Sequence, residues 1–324
     1  MKRNFLICIV LCLLLSLCAC GAAPAESGGE GMNIVCTVFP AYDFARQIAG
    51  ERANVTLLVP PGSEAHSFEP TPQDIIRIEN CDLLICNGGE SEVWLEEILE
   101  GRENEIPSLT MMDCVETLEE ETKEGMQGVS HEHEHEHEHE EEEGHEHEEE
   151  YDEHVWTSPV NAELIVFALC EKLSAIDPEN GDFYRVNCDS YQAELQKLDA
   201  AFREVVSQGS HDTLIFADRF PVRYFVEEYG LDYYAAFPGC ADDTEPSART
   251  VAFLIDKVRS ESIPAVLYIE FSNEKMADVI CEDTGCEKLL FHSCHNVSAE
   301  QLKDGVSYLE LMWGNVESLK EALG

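Results

Sequence analysis

Basic residues are scarce in this chain: 20 Lys and Arg stand against 66 Asp and Glu, a formal net charge of -46. A protein this acidic lacks the positive footprint that nucleic acid requires, and it has no basic face for anionic lipid. Metal cations remain natural partners. Long apolar runs are also missing. The longest, residues 5–17, follows Lys2 and Arg3. It falls short of the ~20 residues of a spanning helix and has the length of a signal-peptide core. Recognisable catalytic motifs are absent too. His131-Glu132-His133-Glu134-His135 formally matches H-E-x-x-H. That motif needs an apolar helix to hold two His on one face, and here every neighbour is His or Glu.

What is present begins at the N-terminus. Leu17-Cys18-Ala19-Cys20-Gly21 resembles the bacterial lipobox. Read so, 1–19 is a signal peptide and Cys20 becomes the lipid-bearing first residue. Residues 20–32, rich in Gly, Ala, Ser, Pro and Glu, form a flexible tether. The expected location is extracytoplasmic, anchored by lipid to the cell membrane. Ten cysteines follow the tether's start. Cys36, Cys86 and Cys170 fall in apolar patterns as small hydrophobes. Cys281 and Cys286 are the pair closest in sequence, and whether they bridge stays open.

Strand and helix patterns alternate along the rest. Strands are expected at 33–39, 55–59, 83–86 and 108–111, with helices at 42–49, 71–79 and 93–99. Residues 116–150 have almost no apolar side chains and read as a long loop, mobile without metal. Helix 161–176 follows. Residues 179–207 keep an apolar repeat near 3.5 residues and form one long connecting helix. Strands at 213–216, 233–236, 265–269 and 289–291 then alternate with helices at 222–229, 247–260, 273–284 and 302–323. The fold class is α/β. Lobes 33–178 and 208–324 each carry a small, mostly parallel sheet flanked by helices, joined by helix 179–207 with a cleft between them.

The run 131–150 holds twelve Glu, seven His and one Gly. His131, His133, His135, His137, His139, His145 and His147 offer many weak, interchangeable ligands, suited to collecting metal. Only five His lie elsewhere. His66 follows strand 55–59, His154 precedes a helix, and His292 directly ends strand 289–291. All three sit at strand ends or loop-to-helix junctions, where an α/β sheet binds its ligand. Imidazole is the borderline ligand that Zn²⁺ prefers, so the three define a metal site. His211 lies in a turn at the opposite end of its sheet.

Two segments carry a family resemblance. Pro60-Pro61-Gly62-Ser63-Glu64-Ala65-His66-Ser67-Phe68-Glu69-Pro70-Thr71-Pro72 and Glu153-His154-Val155-Trp156-Thr157-Ser158-Pro159 resemble the two metal-His loops of substrate-binding lipoproteins from bacterial ABC transporters for zinc and manganese. An acidic His-rich loop before the second is typical of the zinc members. The resemblance implies two α/β lobes bridged by one rigid helix, with the metal between them. It implies capture of Zn²⁺ as cargo for an ABC permease and its ATPase, by a monomer with no catalytic step.

Two ligand positions depart from the family pattern. Phe216-Ala217-Asp218-Arg219 has Ala where zinc members carry His, so Asp218 or water takes that place. Phe291-His292-Ser293-Cys294-His295 occupies the last position, with His292 as the substitute ligand. Glu270, ending strand 265–269, either coordinates or supports a ligand. Mn²⁺, which prefers oxygen donors, is the alternative cargo. A secreted zinc hydrolase is a further alternative, with Glu270 or Asp218 as its base. With His ligands, affinity is expected to fall as pH drops through about 6.

Overall fold

A computed structural model describes residues 31–64, 66–99, 105–127, 150–241 and 246–324. The expected signal peptide, Cys20 and the seven His of the acidic run lie outside the described residues.

The first sheet has the order β2-β1-β3-β4, built from β1 (Met32–Cys36), β2 (Ala53–Leu57), β3 (Leu83–Cys86) and β4 (Ser108–Thr110). All its pairings are parallel. Every residue of β3 is buried, as expected for an interior strand covered on both faces. Helices α1 (Phe39–Ala49), α2 (Pro72–Glu79) and α3 (Val93–Leu99) connect these strands. A reciprocal cap sets the start of α2. Thr71 accepts from the Asp74 amide, and the Asp74 carboxylate accepts from the Thr71 amide at 3.0 Å. This cap anchors the far end of the loop that carries His66.

Helix α4 (Pro159–Ile176) starts at Ser158, whose hydroxyl accepts from the Asn161 amide. The connecting helix α5 (Gly181–Gln208) has 28 residues, a rod of about 42 Å. Its buried residues Tyr184, Cys188, Tyr191, Leu195, Leu198 and Phe202 recur every three to four positions. They form one stripe against helices of both lobes. One apolar core therefore runs through the molecule, from Ile34 by way of Tyr191 and Phe202 to Leu323.

The second sheet repeats the order as β6-β5-β7-β8, again all parallel. Its strands are β5 (Thr213–Phe220), β6 (Asp232–Pro238), β7 (Ala265–Tyr268) and β8 (Glu287–Leu290). Helices α6 (Arg223–Tyr229), α7 (Ala248–Glu261) and α8 (Lys275–Thr284) join them. In both sheets the strand order reverses beside the first strand, which places a ligand crevice at the carboxyl ends there.

Two expectations change, and one open point is answered. The single helix 302–323 is two: α9 (Ala299–Asp304) and α10 (Tyr308–Ala322), parted by Gly305 at φ 79°. Asp43 of α1 holds that break. Its buried carboxylate accepts from the Tyr308 amide at 2.8 Å and pairs with Arg46 at 2.6 Å, while Arg46 donates to the Val306 carbonyl at 2.8 Å. Residues 116–127 are not a featureless loop. Glu119 bridges to Tyr151, Met126 is buried, and the Gln127 amide donates to the Ala236 carbonyl at 2.8 Å. Leu118, Met126 and the tyrosines of the second lobe give this segment an apolar surface to settle on. Cys281 and Cys286 are free thiols with sulfurs 3.4 Å apart.

Removing the Asp43 carboxylate leaves Arg46 and the Tyr308 amide without their partner in a buried contact between lobes. Asp43→Ala is expected to cost about 3 kcal/mol of unfolding free energy, read from urea denaturation. A loss of a few tenths would mean that the lobes are held by the apolar stripe alone.

Candidate metal centre

Three loops build the site, and each is fixed before it presents a His. The first leaves β2. The Gly62 amide donates to the Val297 carbonyl at 2.9 Å, and the Asn296 side chain donates to the carbonyls of Pro60 and Ser63, both at 2.8 Å. The loop of His66 is thus stitched to the loop that follows β8.

The second loop runs into α4. Asp152 accepts from the His154 amide at 2.8 Å and lies 3.2 Å from its Nδ1, so Nε2 is the nitrogen left for a metal. The next carboxylate, Glu153, accepts from the Ser91 amide at 2.9 Å and from its hydroxyl. That brings it 4.0 Å from Nδ1 of His66. Gly89 permits the approach, because a Cβ there would stand 2.5 Å from Oε1 of Glu153.

The third loop, 291–297, turns over at Cys294, a non-glycine residue at φ 61°. Glu270 organises the turn. Its carboxylate accepts from the Ser293 amide at 2.7 Å, the Ser293 hydroxyl at 2.6 Å and the His295 amide at 3.3 Å. Trp156, fully buried, donates from Nε1 to the Ser293 carbonyl at 2.8 Å and so ties the third loop to the second.

This turn decides which His enters the cleft. The backbone of His292 is clamped by Asn315 through N–H at 2.7 Å and C=O at 2.8 Å. Its Nδ1 accepts from the Cys294 amide at 3.0 Å. His295 instead meets His66 and His154, with ring centroids 5.0 and 5.3 Å away. His66 and His154 are 5.4 Å apart. One nitrogen from each ring lies within 4.8 Å of the others. Tetrahedral Zn²⁺ with N ligands would bring such donors to about 3.4 Å, so a small inward movement completes the site. Nε2 of His66 is buried and makes no hydrogen bond, the condition of an atom shaped for a ligand. A cavity of about 210 Å³ lies against the three rings, with Glu64, Arg219 and Glu270 also on its wall.

A sequence profile described as "Zinc-uptake complex component A periplasmic" matches residues 34–322. The chain belongs to this family, ZnuA. It is 31% identical over 330 residues to the high-affinity zinc uptake system protein ZnuA of Bacillus subtilis, covering 99% of this chain and 98% of that one. It is 30% identical to the zinc-binding lipoprotein AdcA of Streptococcus pneumoniae, of which it spans 61%. Among solved structures, the Zn(II)-bound ZnuA-like domain of that AdcA superposes with a TM-score of 0.73 at 26% identity, covering 90% of this chain and 99% of the other. The metal-dependent lipoprotein YcdH of Bacillus subtilis gives 0.74 at 26%, covering 90% and 100%. The ZnuA family is a solute-binding component of zinc uptake.

Of the expected residues, the structure brings together His66 and His154. His292, Asp218 and Glu270 stand outside the cluster, and His295 takes the third place. The sequence showed His295 as one of only five His outside the acidic run. Choosing it over His292 required the left-handed turn at Cys294 and the Asn315 clamp. Asp218, on β5, accepts from the Arg219 amide at 2.9 Å and lines a neighbouring cavity. Glu270 directs its oxygens to the 293–295 turn.

Burial and the neighbouring His154 ring push His66 down to about 4. Burial, then the other two rings, holds His295 well below the ordinary range. Burial also opposes charge on His154, but the carboxylate of Asp152 outweighs it and the net shift is upward. At neutral pH two of the three rings are thus neutral donors without paying for proton release. This moves the acid limit expected from unperturbed His. Because the pKa of His154 lies above its ordinary value, zinc already displaces one proton, from His154, as the pH falls toward 6.5, and below that affinity is expected to fall about tenfold per pH unit, steepening only near pH 4. A three-proton slope between pH 6.5 and 5 in competition titrations would contradict the assignment.

Proposed function

We propose that the protein captures Zn²⁺ between its lobes with His66, His154 and His295, and releases it to an ABC permease. The carrying observation is the convergence of three imidazoles, His154 buried and His66 and His295 half-buried, from three separately fixed loops. An all-nitrogen donor set favours Zn²⁺ over Mn²⁺, which prefers oxygen. A hydrolase reading is disfavoured because Glu270 is engaged with the 293–295 turn, and Asp218, one oxygen of which accepts from the Arg219 amide, lies outside the three-His cluster. The names of the two relatives, a zinc uptake protein and a zinc-binding lipoprotein, support the same cargo. We further propose lipid attachment at Cys20.

The acidic His run serves as a collector in this reading. It departs after Gln127 and returns at Glu150, whose carbonyl accepts from the Glu120 amide at 2.9 Å. Two residues on, the Asp152 amide donates to the Leu118 carbonyl, and His154 follows. Burial, then Glu120, Glu90 and Glu153, raise the Glu150 carboxyl, so acidic side chains surround the residue that leads on to His154. Tethering there raises the local metal concentration without supplying a tight-site ligand.

His295→Ala is expected to weaken zinc binding at least about a hundredfold, since one of three protein donors is lost. His292→Asn keeps an acceptor for the Cys294 amide and should bind within about threefold of wild type, inside the spread expected of a residue off the metal. The reverse ranking would return His292 to the metal.

Deleting 131–149 should remove the weak calorimetric phase and leave the tight one intact. Loss of the tight phase would mean that the run supplies a primary ligand.

A further inference from the structure

The three His supply three neutral donors, and a tetrahedral zinc takes four. Among the described residues, no carboxylate joins the three rings. The neighbouring acids are engaged elsewhere: Asp152 with His154, Glu153 with Ser91, Glu270 with the 293–295 turn and Glu64 with Arg219.

Arg219 is the unexpected wall of this cavity. A guanidinium beside a dication is repulsive, and its charge opposes protonation of all three rings. Its side chain is only 15% exposed. One end pairs with Glu64 at 2.7 Å, while Nε is buried with no hydrogen-bond partner. An unpaired buried guanidinium donor is costly, and a fork of this kind fits a carboxylate. The wall formed by Glu64, Arg219, Ile269, Glu270 and Phe271 is shared with a second cavity of about 520 Å³. The space is larger than a metal-bound water needs.

Resting on the zinc reading above, we propose that a small carboxylate anion fills the fourth metal position and is held by Arg219, so that zinc is bound as a metal–anion pair. One carboxylate oxygen binds the metal and the other accepts from Nε of Arg219. The anion places negative charge between two cations, and it satisfies the guanidinium donor that the protein leaves bare.

Co²⁺ in place of zinc gives a visible spectrum that reports its ligands, and acetate is the probe. In the full chain, acetate is expected to change the Co²⁺ spectrum saturably, and to tighten zinc binding about tenfold in chelator competition corrected for acetate–zinc complexes. Perchlorate should do neither. Arg219→Met should lose the acetate response. Arg259→Met, on an exposed ion pair with Asp283, should keep it. Glu64→Gln should also keep it. A wild-type spectrum indifferent to acetate, with tetrahedral Co²⁺ bound, overturns the anion while leaving the three-His site standing. Loss of the tetrahedral spectrum in Glu64→Gln overturns it in favour of Glu64 as the fourth ligand. A protein that binds no Co²⁺ in a tetrahedral site removes both readings.

Discussion

Three imidazoles pressed together in a buried cleft are an unfavourable arrangement, and the surrounding structure exists to hold them there. The rings are wholly or partly withdrawn from water, and any charge on one raises the cost of charge on the next. Burial and mutual repulsion keep His66 and His295 neutral. The Nε2 of His66 has no protein partner at all. Left to relax, these rings would turn toward solvent. They are kept in place by loops that are themselves hydrogen-bonded to the rest of the structure. Asn296 fixes the first loop, Asp152 the second and Glu270 the third, and Trp156 links the last two. The same preorganisation that costs stability in the empty cleft favours a metal, which satisfies all three nitrogens at once.

That constraint reaches into the fold. The three loops come from two lobes, so the donor geometry depends on how the lobes are set against each other. Helix α5 fixes that setting with one apolar stripe shared by both. The Asp43–Arg46 pair adds a polar tie at the break between α9 and α10. Opening and closing the cleft then calls for small loop and lobe movements, and a rearranged core is unnecessary.

Much of this was legible in the residues. Strand–helix alternation implied two parallel sheets because helical and two-residue periods differ. The 3.5-residue repeat marked the long helix, whose bounds came out within two residues. His66 and His154 stood out because one follows a strand and the other precedes a helix, each in a segment that resembles a metal-His loop of the family. What could not be read was conformation that depends on distant partners. His292 looked the better ligand because it follows a strand directly. The turn that instead groups His295 with His66 and His154 needs Cys294 in a left-handed conformation, Glu270 from β7's end and Asn315 from α10. Residues 116–127 looked structureless because their few apolar side chains find partners only in the second lobe. Helix 302–323 looked continuous because its apolar pattern spans Gly305, and the Asp43 contact that stabilises the break is 265 residues away.

The central claim is that His295, presented by the Glu270-braced turn, completes a three-imidazole zinc site. X-ray absorption on the zinc-loaded His292→Asn protein tests it most directly. The account predicts three imidazole nitrogens at about 2.0 Å with one oxygen completing the shell, and no sulfur at about 2.3 Å. Two imidazoles in that variant, or a sulfur ligand from Cys294, would contradict it.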